Sequence, residues 1–565
     1  MALLQATSVC GDLTVGGYLY GDGSTLANVN NSCTYTTDLL ANCVTLGQGG
    51  GDVSTNTALG QCALSSNTTG HSNTAVGDAA LCANTTGANN TASGLYSLKN
   101  NTGGNNNAAF GSYSLCSNTI GVQNTAIGQV SMRFNTTGDY NTALGRCSLY
   151  SNTTADQNTA SGYAALKLNT TGCYNSAFGS GALLSNVTGS NNTASGYKAL
   201  YSSTVDNNTA FGYLALCSNT TGGSNTAMGT QALKNNTTGS SNTAFGLFAL
   251  VNNTTGGQNT ASGQYSLRNN TTGTQNTASG YHSLLNNTTG SSNTAVGYQT
   301  LYSNTSGVGN TAVGKSALTS NTTGVYNVST GWCSMVFNTT GGYNTASGVY
   351  SMRANTTGGG NTASGYASLK NNITGVHNTT SGHNSLRANT TGSSNTASGY
   401  QSLYSNTTGS SNVAVGVCAL RNNTTGSNNT ALGIYSLYNN TYKGNLLAVG
   451  FRALYGNTDG ACNTALGWCA LTSNTTGSCN TGSGNSALLS NTTGSYNTAS
   501  GFYSLHNNST GYNNTAYGVK AIFSNTTGYQ NTALGYFSQY SVTSGYQNTS
   551  VGDSSLQLNT TGYRN

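Results

Sequence analysis

The sequence predicts an all-β protein, a β-solenoid built from about thirty coils of one 17-residue unit. Two observations lead to this prediction. The motif Asn-Thr-Ala-x-Gly recurs at a fixed spacing along almost the whole chain. The composition is rich in Asn, Thr and Gly, which are poor helix formers, with 77 Gly and no Pro in 565 residues. Such a chain does not resemble an ordinary globular enzyme.

The repeat defines the coils. The motif begins at Asn56 and recurs every 17 residues to Asn192, where one residue is missing. The series resumes at Asn208 and keeps the same step to the last residue, and only Leu446 interrupts its Asn column. The consensus is N-T-A-x-G-x-x-[SA]-L-x-x-N-T-T-G-x-x, as in residues 259–275, and its places are numbered here as positions 1 to 17.

Each unit is expected to form two short extended segments joined by two corners. The unit is too short for leucine-rich, ankyrin or tetratricopeptide repeats, and the Leu at position 9 has no helical partners at i+3 or i+4. Asn-Thr-Thr-Gly at positions 12 to 15 has the residue preferences of a type I turn. The Gly at position 5 indicates a second bend or a close backbone approach. One unit therefore predicts one coil stacked on the next.

Stacked coils lie about 4.8 Å apart, so side chains at one position can form hydrogen-bonded ladders along the rod. Ala at position 3 and Leu or Met at position 9 supply the apolar columns, and position 4 is mixed and expected to be half-buried. The predicted structural ladder contains Asn56, Asn73, Asn90, Asn124, Asn141, Asn225 and Asn259.

One large aliphatic side chain per coil makes a thin core. The chain should therefore depend on its ladders, or on neighbouring chains, for stability. We expect a homo-oligomer, with three chains around a common axis, in which thirty coils form a rod of roughly 145 Å.

Residues 1–55 lack the period and form a separate N-terminal attachment or capping segment, followed by the repeat shaft at residues 56–565. Residues 11–29 read GDLTVGGYLYGDGSTLANV. This segment resembles the one that precedes the shaft in many phage and viral tail-fibre-type proteins. The 17-residue units are similar to repeats in the same proteins and, more distantly, to the head repeats of trimeric autotransporter adhesins.

This resemblance covers nearly the whole chain. It implies a trimeric β-rich fibre that displays a host-binding tip, with residues 1–55 attached to a virion or similar particle. Unlike such fibres, the sequence shows no C-terminal chaperone or tip domain, so we expect the receptor-binding element to lie outside it.

Catalytic and cofactor-binding residues are few. The chain has ten acidic residues and five His, without a repeated pair. His377 and His383 lie six residues apart, which is not a helical zinc spacing. The glycines at 49–51 lack the Lys-Ser/Thr of a phosphate loop and are read as a joint before the first coil. We expect no enzyme, no metal and no cofactor.

Charge and hydropathy restrict the partners and the location. The net charge of +6 comes from basic residues scattered along the chain without a Lys/Arg run, so nucleic acid is not an expected partner. No apolar run is long enough for a membrane span, and the N-terminus lacks the features of a signal peptide. We expect assembly in a cytoplasm and release with a particle, which gives a virion-surface or extracellular location.

The Asn-Thr-Thr segment has two interpretations. It is an N-glycosylation sequon, which in a secreted eukaryotic protein predicts a sugar-coated fibre. Glycans on every coil would be crowded at a spacing of about 4.8 Å, so a turn-and-ladder role is favoured. The candidate glycosylation residues are Asn67, Asn84, Asn135, Asn152 and Asn253.

Cysteine and tyrosine supply the remaining candidates. Cys462 and Cys479 share position 17 of successive coils and are predicted to form a disulfide, with reduced apolar side chains as the alternative. Disulfides among Cys10, Cys33 and Cys43 could cross-link the non-repetitive start.

A column of tyrosines follows the Gly of position 5 and could stack on host glycans or pack on itself. It includes Tyr163, Tyr197, Tyr281, Tyr298, Tyr366 and Tyr400.

Three functional hypotheses follow. The first is a homo-oligomeric fibre or spike shaft that projects a host-attachment element from a virion or similar particle. The second is an extracellular adhesive or matrix filament, with or without N-glycosylation. The third is an ice-binding solenoid, which ranks last because the repeat lacks an uninterrupted Thr-x-Thr column.

Overall fold

The computed structural model describes residues 39–41 and 44–565. Their regular structure is 32 β-strands in one sheet, together with one 3-10 turn at Gly50–Asp52. The chain is a β-solenoid with a coil of 17 residues, which confirms the predicted fold class. The predicted staple of Cys10, Cys33 and Cys43 and the segment at residues 11–29 lie outside the described residues.

The first strands cover the N-terminal end of the solenoid. Strand β1 (Leu39–Ala41) pairs antiparallel with β2 (Val44–Gly47). Strand β2 pairs antiparallel with β3 (Thr57–Gln61), the first strand of the repeat. The antiparallel strands therefore satisfy the backbone groups on the outer edge of β3.

The other strands stack in parallel and in chain order, each formed by positions 2 to 4 of one coil. In a typical step Ala261 pairs with Ala278, the residue at the same position of the next coil. The strands are β4 Thr74–Val76, β5 Thr91–Ser93, β6 Ala108–Phe110, β7 Thr125–Ile127, β8 Thr142–Leu144, β9 Thr159–Ser161, β10 Ser176–Phe178, β11 Thr193–Ser195, β12 Thr209–Phe211, β13 Thr226–Met228, β14 Thr243–Phe245, β15 Thr260–Ser262, β16 Thr277–Ser279, β17 Thr294–Val296, β18 Thr311–Val313, β19 Val328–Thr330, β20 Thr345–Ser347, β21 Thr362–Ser364, β22 Thr379–Ser381, β23 Thr396–Ser398, β24 Val413–Val415, β25 Thr430–Leu432, β26 Leu447–Val449, β27 Thr464–Leu466, β28 Thr481–Ser483, β29 Thr498–Ser500, β30 Thr515–Tyr517, β31 Thr532–Leu534 and β32 Thr549–Val551.

The interior contains five columns of side chains. Successive residues of a strand face opposite sides, so Ala at position 3 points inward while positions 2 and 4 point outward. Leu or Met at position 9 and the small residue at position 8 complete the apolar part of the core, as in Ala249 and Leu250, both fully buried. The remaining two columns are Asn at positions 1 and 12. The core is therefore as thin as predicted, and much of it is polar.

The hydrogen-bonded turns lie outside the predicted type I turn. In the coil that starts at Asn73, the N–H of Ala80 donates to Gly77 and the N–H of Asn84 donates to Leu81, which closes turns at positions 5 to 8 and 9 to 12. Across positions 13 to 15 the three N–H groups instead donate to the position-13 carbonyl of the next coil. The chain bends at positions 13 and 14, as the predicted corner requires, but inter-coil bonds replace the local i to i+3 bond of a hydrogen-bonded type I turn.

The corners need left-handed backbone at residues other than glycine. Positions 7, 9 and 17 have positive φ in coil after coil, for example +49° at Ala79, +52° at Leu81 and +58° at Asn89. A side chain with a Cβ in this region is destabilised, by about 1–2 kcal/mol per residue for a left-handed helix. The inter-coil bonds must therefore outweigh a recurring local cost.

Glycine is required where adjacent coils approach closely. At position 5, Gly77 has a φ of +131°, and a Cβ there would lie 2.6 Å from the carbonyl oxygen of Gly94. At position 15, a Cβ on Gly104 would lie 2.4 Å from the carbonyl oxygen of Gly121. The two glycine corners that recur in the unit therefore allow this close approach of adjacent coils.

Candidate functional site

The Asn side chains at position 1 link each coil to the next. In the seven residues of the predicted ladder, Oδ1 accepts the backbone N–H of the next position-1 residue at 2.8–3.0 Å, and Nδ2 donates to the position-15 carbonyl at 2.8–2.9 Å. All are buried. This geometry is found at Asn56, Asn73, Asn90, Asn124, Asn141, Asn225 and Asn259, the residues of the predicted ladder.

A second Asn ladder runs through position 12. The Nδ2 of Asn253 donates to Oδ1 of Asn236 in the preceding coil at 2.7 Å and to the carbonyl of Gly256 at 2.8 Å. Its Oδ1 accepts from Asn270 at 2.7 Å. The Gly256 carbonyl also accepts from Asn242 at position 1. The two ladders therefore meet at each position-15 carbonyl and form one buried polar network along the rod.

The candidate glycosylation residues belong to this second ladder. Asn84, Asn135, Asn152 and Asn253 are fully buried, and Asn67 is 4% exposed. Both hydrogens of each Nδ2 are used, one between coils and one within the coil. A glycan on Nδ2 would remove one of these donors and needs space that the interior lacks. Glycosylation at position 12 is therefore incompatible with the folded coil.

The two cysteines predicted to pair are free thiols. Cys462 and Cys479 are both exposed and unbridged, so the predicted disulfide is absent. Stacked side chains of adjacent coils are parallel, which keeps equivalent Cβ atoms about 4.8 Å apart. A disulfide requires a Cβ separation of about 3.5–4.5 Å. In-register stacking by itself therefore does not place equivalent Cβ atoms within disulfide distance.

The tyrosines after the position-5 Gly are on the surface. The six predicted residues are 39–57% exposed. Some stack on the ring of the next coil: Tyr281 lies 5.5 Å from Tyr298, and His383 lies between Tyr366 and Tyr400 at 4.9 and 5.5 Å. The remaining predicted members are Tyr163 and Tyr197, and Tyr197 stacks on Tyr213. The column packs on itself and still presents ring edges and hydroxyl groups to solvent.

Apolar side chains also form runs on the outer face of the sheet. Position 4 carries an exposed large residue in several successive coils, which are Phe110, Ile127 and Leu144 in one run and Phe211, Met228 and Phe245 in another, each 38–44% exposed. Between residues 330 and 398 this position contains only Ser or Thr. The outer face therefore alternates between apolar and polar lengths.

The fold collects the basic residues on one side of the coil, which the sequence analysis missed. Nine of the 16 Lys and Arg occupy position 10: Lys99, Arg133, Lys167, Lys234, Arg268, Arg353, Lys370, Arg387 and Arg421. Five more, Arg146, Lys198, Lys315, Arg452 and Lys520, occupy positions 6 and 7. Contacts such as Lys99 Nζ over the Tyr96 ring, 4.5 Å from its centre, show that positions 7 and 10 adjoin. Sorting the sequence by coil position would have revealed this grouping.

The described residues contain no group of three or more His, Cys, Asp or Glu side chains that could hold a metal ion. Burial raises the pKa of the Cys116, Cys217 and Cys418 thiols, which keeps them protonated and weakly nucleophilic at neutral pH. Over the same part of the chain, no helix has the length and apolar character needed to cross a membrane.

No protein-family model and no curated protein matches this chain.

Proposed function

We propose that this protein is a non-enzymatic structural shaft, a homo-oligomeric fibre or spike that projects a host-attachment element from a virion or similar particle. The observation that supports this proposal best is the buried Asn network, which connects each coil to both neighbours along the repeat. A solenoid of stacked, nearly identical coils is long and uniform, and this one has few chemically reactive groups.

Stiffness follows from the direction of the bonds. Backbone and Asn hydrogen bonds run along the rod axis, so bending the rod lengthens many bonds at once on its outer side. Most inter-coil steps also have a Thr hydroxyl bond at position 13, such as the one from Thr254 Oγ1 to the Thr271 carbonyl at 3.0 Å. Such a shaft transmits force and holds a distal element away from its base.

Self-association is supported by the outer apolar runs at position 4. A second copy has the same coil spacing, so its apolar side chains can align with those of the first along the rod. Burial of these side chains would also supplement the thin core. We propose three chains, as in the tail-fibre-type proteins that the sequence resembles.

The test combines electron microscopy with mass measurement of the purified protein. We expect discrete straight rods of roughly 145 Å, with a solution mass of three times the 57.2 kDa chain. Open-ended polymers would contradict the particle shaft and favour the adhesive or matrix filament. Compact particles would contradict both, and a monomeric rod would contradict the oligomer alone.

A further inference from the structure

A basic column lies on one side of the shaft, where cations follow one another from coil to coil. It consists of the position-10 residues of five consecutive coils, Arg353, Lys370, Arg387, Tyr404 and Arg421. At a spacing of about 4.8 Å, its four cations fall within about 19 Å along a line. All four side chains are half-buried, so their directions are restricted by the surrounding coil surface.

Aromatic rings, and not carboxylates, surround these cations. Arg353 and Lys370 both lie 5.7 Å from the centre of the Tyr350 ring, and Arg387 and Arg421 lie against Tyr404. Among the described residues the one ion pair joins Lys443 and Asp459, which is outside the column. Like charges in adjacent coils repel one another. The column therefore concentrates positive charge without neutralising it.

Two further features show that these charges are not compensated by other groups of the chain. The Nε atoms of Arg353 and Arg387 are buried without a hydrogen-bond partner. Burial and the charges of Arg387 and Arg353 lower the pKa of Lys370. A negative ligand would relieve the mutual repulsion and accept hydrogen bonds from the guanidinium groups.

The same length of shaft has no apolar run on its outer sheet face. Position 4 is Ser in four successive coils, Ser347, Ser364, Ser381 and Ser398. At position 6, next to the basic column, Tyr366, His383 and Tyr400 form a stack whose tyrosines remain 47–48% exposed. This part of the shaft therefore has little apolar surface to bury against another copy. It instead presents cations and hydroxyl groups to solvent.

We propose that the basic column and the adjacent position-6 stack bind a linear anionic polysaccharide that lies along the shaft. This inference deepens the proposed function and rests on it, because the polymer can bind only if the shaft is exposed along its length. The cations pair with sulfate or carboxylate groups of the polymer, while tyrosine hydroxyls and ring edges contact its sugars.

A polysaccharide fits this column better than a nucleic acid does. The cations recur about every 4.8 Å, whereas duplex DNA has one negative charge about every 1.7 Å along its axis, or about every 3.4 Å on each strand. A polysaccharide with one anionic group per sugar spaces its charges more widely. The rings of the position-6 stack face one another, so a base finds no free platform on which to stack.

The test measures binding of the full-length protein to heparin, to polygalacturonate and to single-stranded DNA by calorimetry. We expect a polysaccharide to bind, with sulfated and carboxylated polymers tested separately. The triple variant Arg353→Gln, Lys370→Gln, Arg387→Gln should weaken binding at least tenfold. Folding should be retained because the substitutions relieve charge repulsion and glutamine keeps part of each half-buried side chain, and circular dichroism with electron microscopy checks it.

The matched control removes the same charge elsewhere on position 10. Lys99→Gln, Lys167→Gln, Lys234→Gln changes three cations separated by several coils, and it should alter affinity less than threefold. Equal losses in the two variants would overturn the proposal, as would an absence of polysaccharide binding or tighter binding of DNA. Rods that remain intact in micrographs while binding fails would contradict this inference alone and leave the shaft proposal standing.

Discussion

Asparagine has a double role in this protein at the scale of single residues. Its amide donates two hydrogen bonds and its oxygen accepts, so one side chain can join its own corner and both neighbouring coils. Buried amides are costly only when they are unpaired, by about 1–3 kcal/mol for each unsatisfied group. The ladder pairs nearly all of them, which explains how a polar interior can be stable.

The exceptions occur where the ladder residue is replaced. Val542 occupies position 12, and the neighbouring Asn525 Oδ1 and Asn559 Nδ2 are buried without partners. In the 16-residue coil that starts at Asn192, Ser203 takes this position, and Asn186 Oδ1 in the preceding coil lacks a partner. Each replacement of the ladder residue therefore leaves an unpaired amide group in an adjacent coil.

We expect Val542→Asn to stabilise the last coils. The new amide would donate to Asn525 Oδ1 and to the Gly545 carbonyl, and its oxygen would accept from Asn559. The bonds restored to two unpaired groups are worth about 1–3 kcal/mol each, against about 1.5–3 kcal/mol for the lost burial of valine, so we expect a net gain of about 1 kcal/mol. Hydrogen exchange of residues 525–559 measures it.

Two controls separate the ladder from other effects of this substitution. Val542→Ala removes the apolar side chain without adding a donor and should speed exchange in the same coils. Val415→Asn places an amide on the outer sheet face, where it should change stability by less than about 0.5 kcal/mol. If Val542→Asn behaved like Val542→Ala, the ladder would not govern stability at this site.

At the scale of elements, the corner at positions 13 to 15 depends on one close contact. A Cβ on Gly104 would meet the carbonyl oxygen of Gly121 at 2.4 Å and Oδ1 of Asn101 at 2.5 Å. Its neighbour Gly103 has Thr86 Oγ1 as the nearest atom, at 3.4 Å. The close approach of adjacent coils therefore requires glycine at Gly104 but not at Gly103.

We expect Gly104→Ala to destabilise the shaft locally and Gly103→Ala to be tolerated. The first forces adjacent backbones apart and should cost about 1–3 kcal/mol, as overpacking does in well-packed cores. The second reduces the freedom of the unfolded chain and should be neutral or stabilising by about 0.4–1 kcal/mol. Limited proteolysis and hydrogen exchange around residues 84–121 compare them. Equal sensitivity of the two variants would show that the close approach is unimportant.

The period, the strand columns and the buried Leu of each coil could be predicted from the sequence, because identical positions recur and stacked strands need them in register. The turns could not. Left-handed backbone is normally assigned to Gly or Asn, yet Leu81 adopts it, since inter-coil bonds override the local preference. The second Asn ladder was recognised only as an alternative to glycosylation. The basic column is not visible as a charge run because its members are 17 residues apart in the chain and become neighbours only when the coils stack.

At the scale of the whole molecule, each coil interacts mainly with its two neighbours. The ladder bonds of a regular coil join residues 17 apart, such as Asn253 with Asn236 and Asn270. In such quasi-one-dimensional proteins, stability is approximately a sum over coils and the interfaces between them. The length of the shaft should therefore be adjustable, provided that the phase of the repeat is kept.

Removing five whole coils, residues 259–343, tests this conclusion. The deletion joins Gln258 at position 17 to Asn344 at position 1, so every column continues across the junction. We expect the rod to shorten by about 24 Å, with little change in the thermal unfolding midpoint, as measured by electron microscopy and circular dichroism.

The control deletes residues 259–335 and joins Gln258 to Val336 at position 10. It should kink or locally unfold the shaft, because Asn and Leu columns no longer align. Straight rods from both deletions would mean that the alignment of equivalent positions is not what holds the coils together.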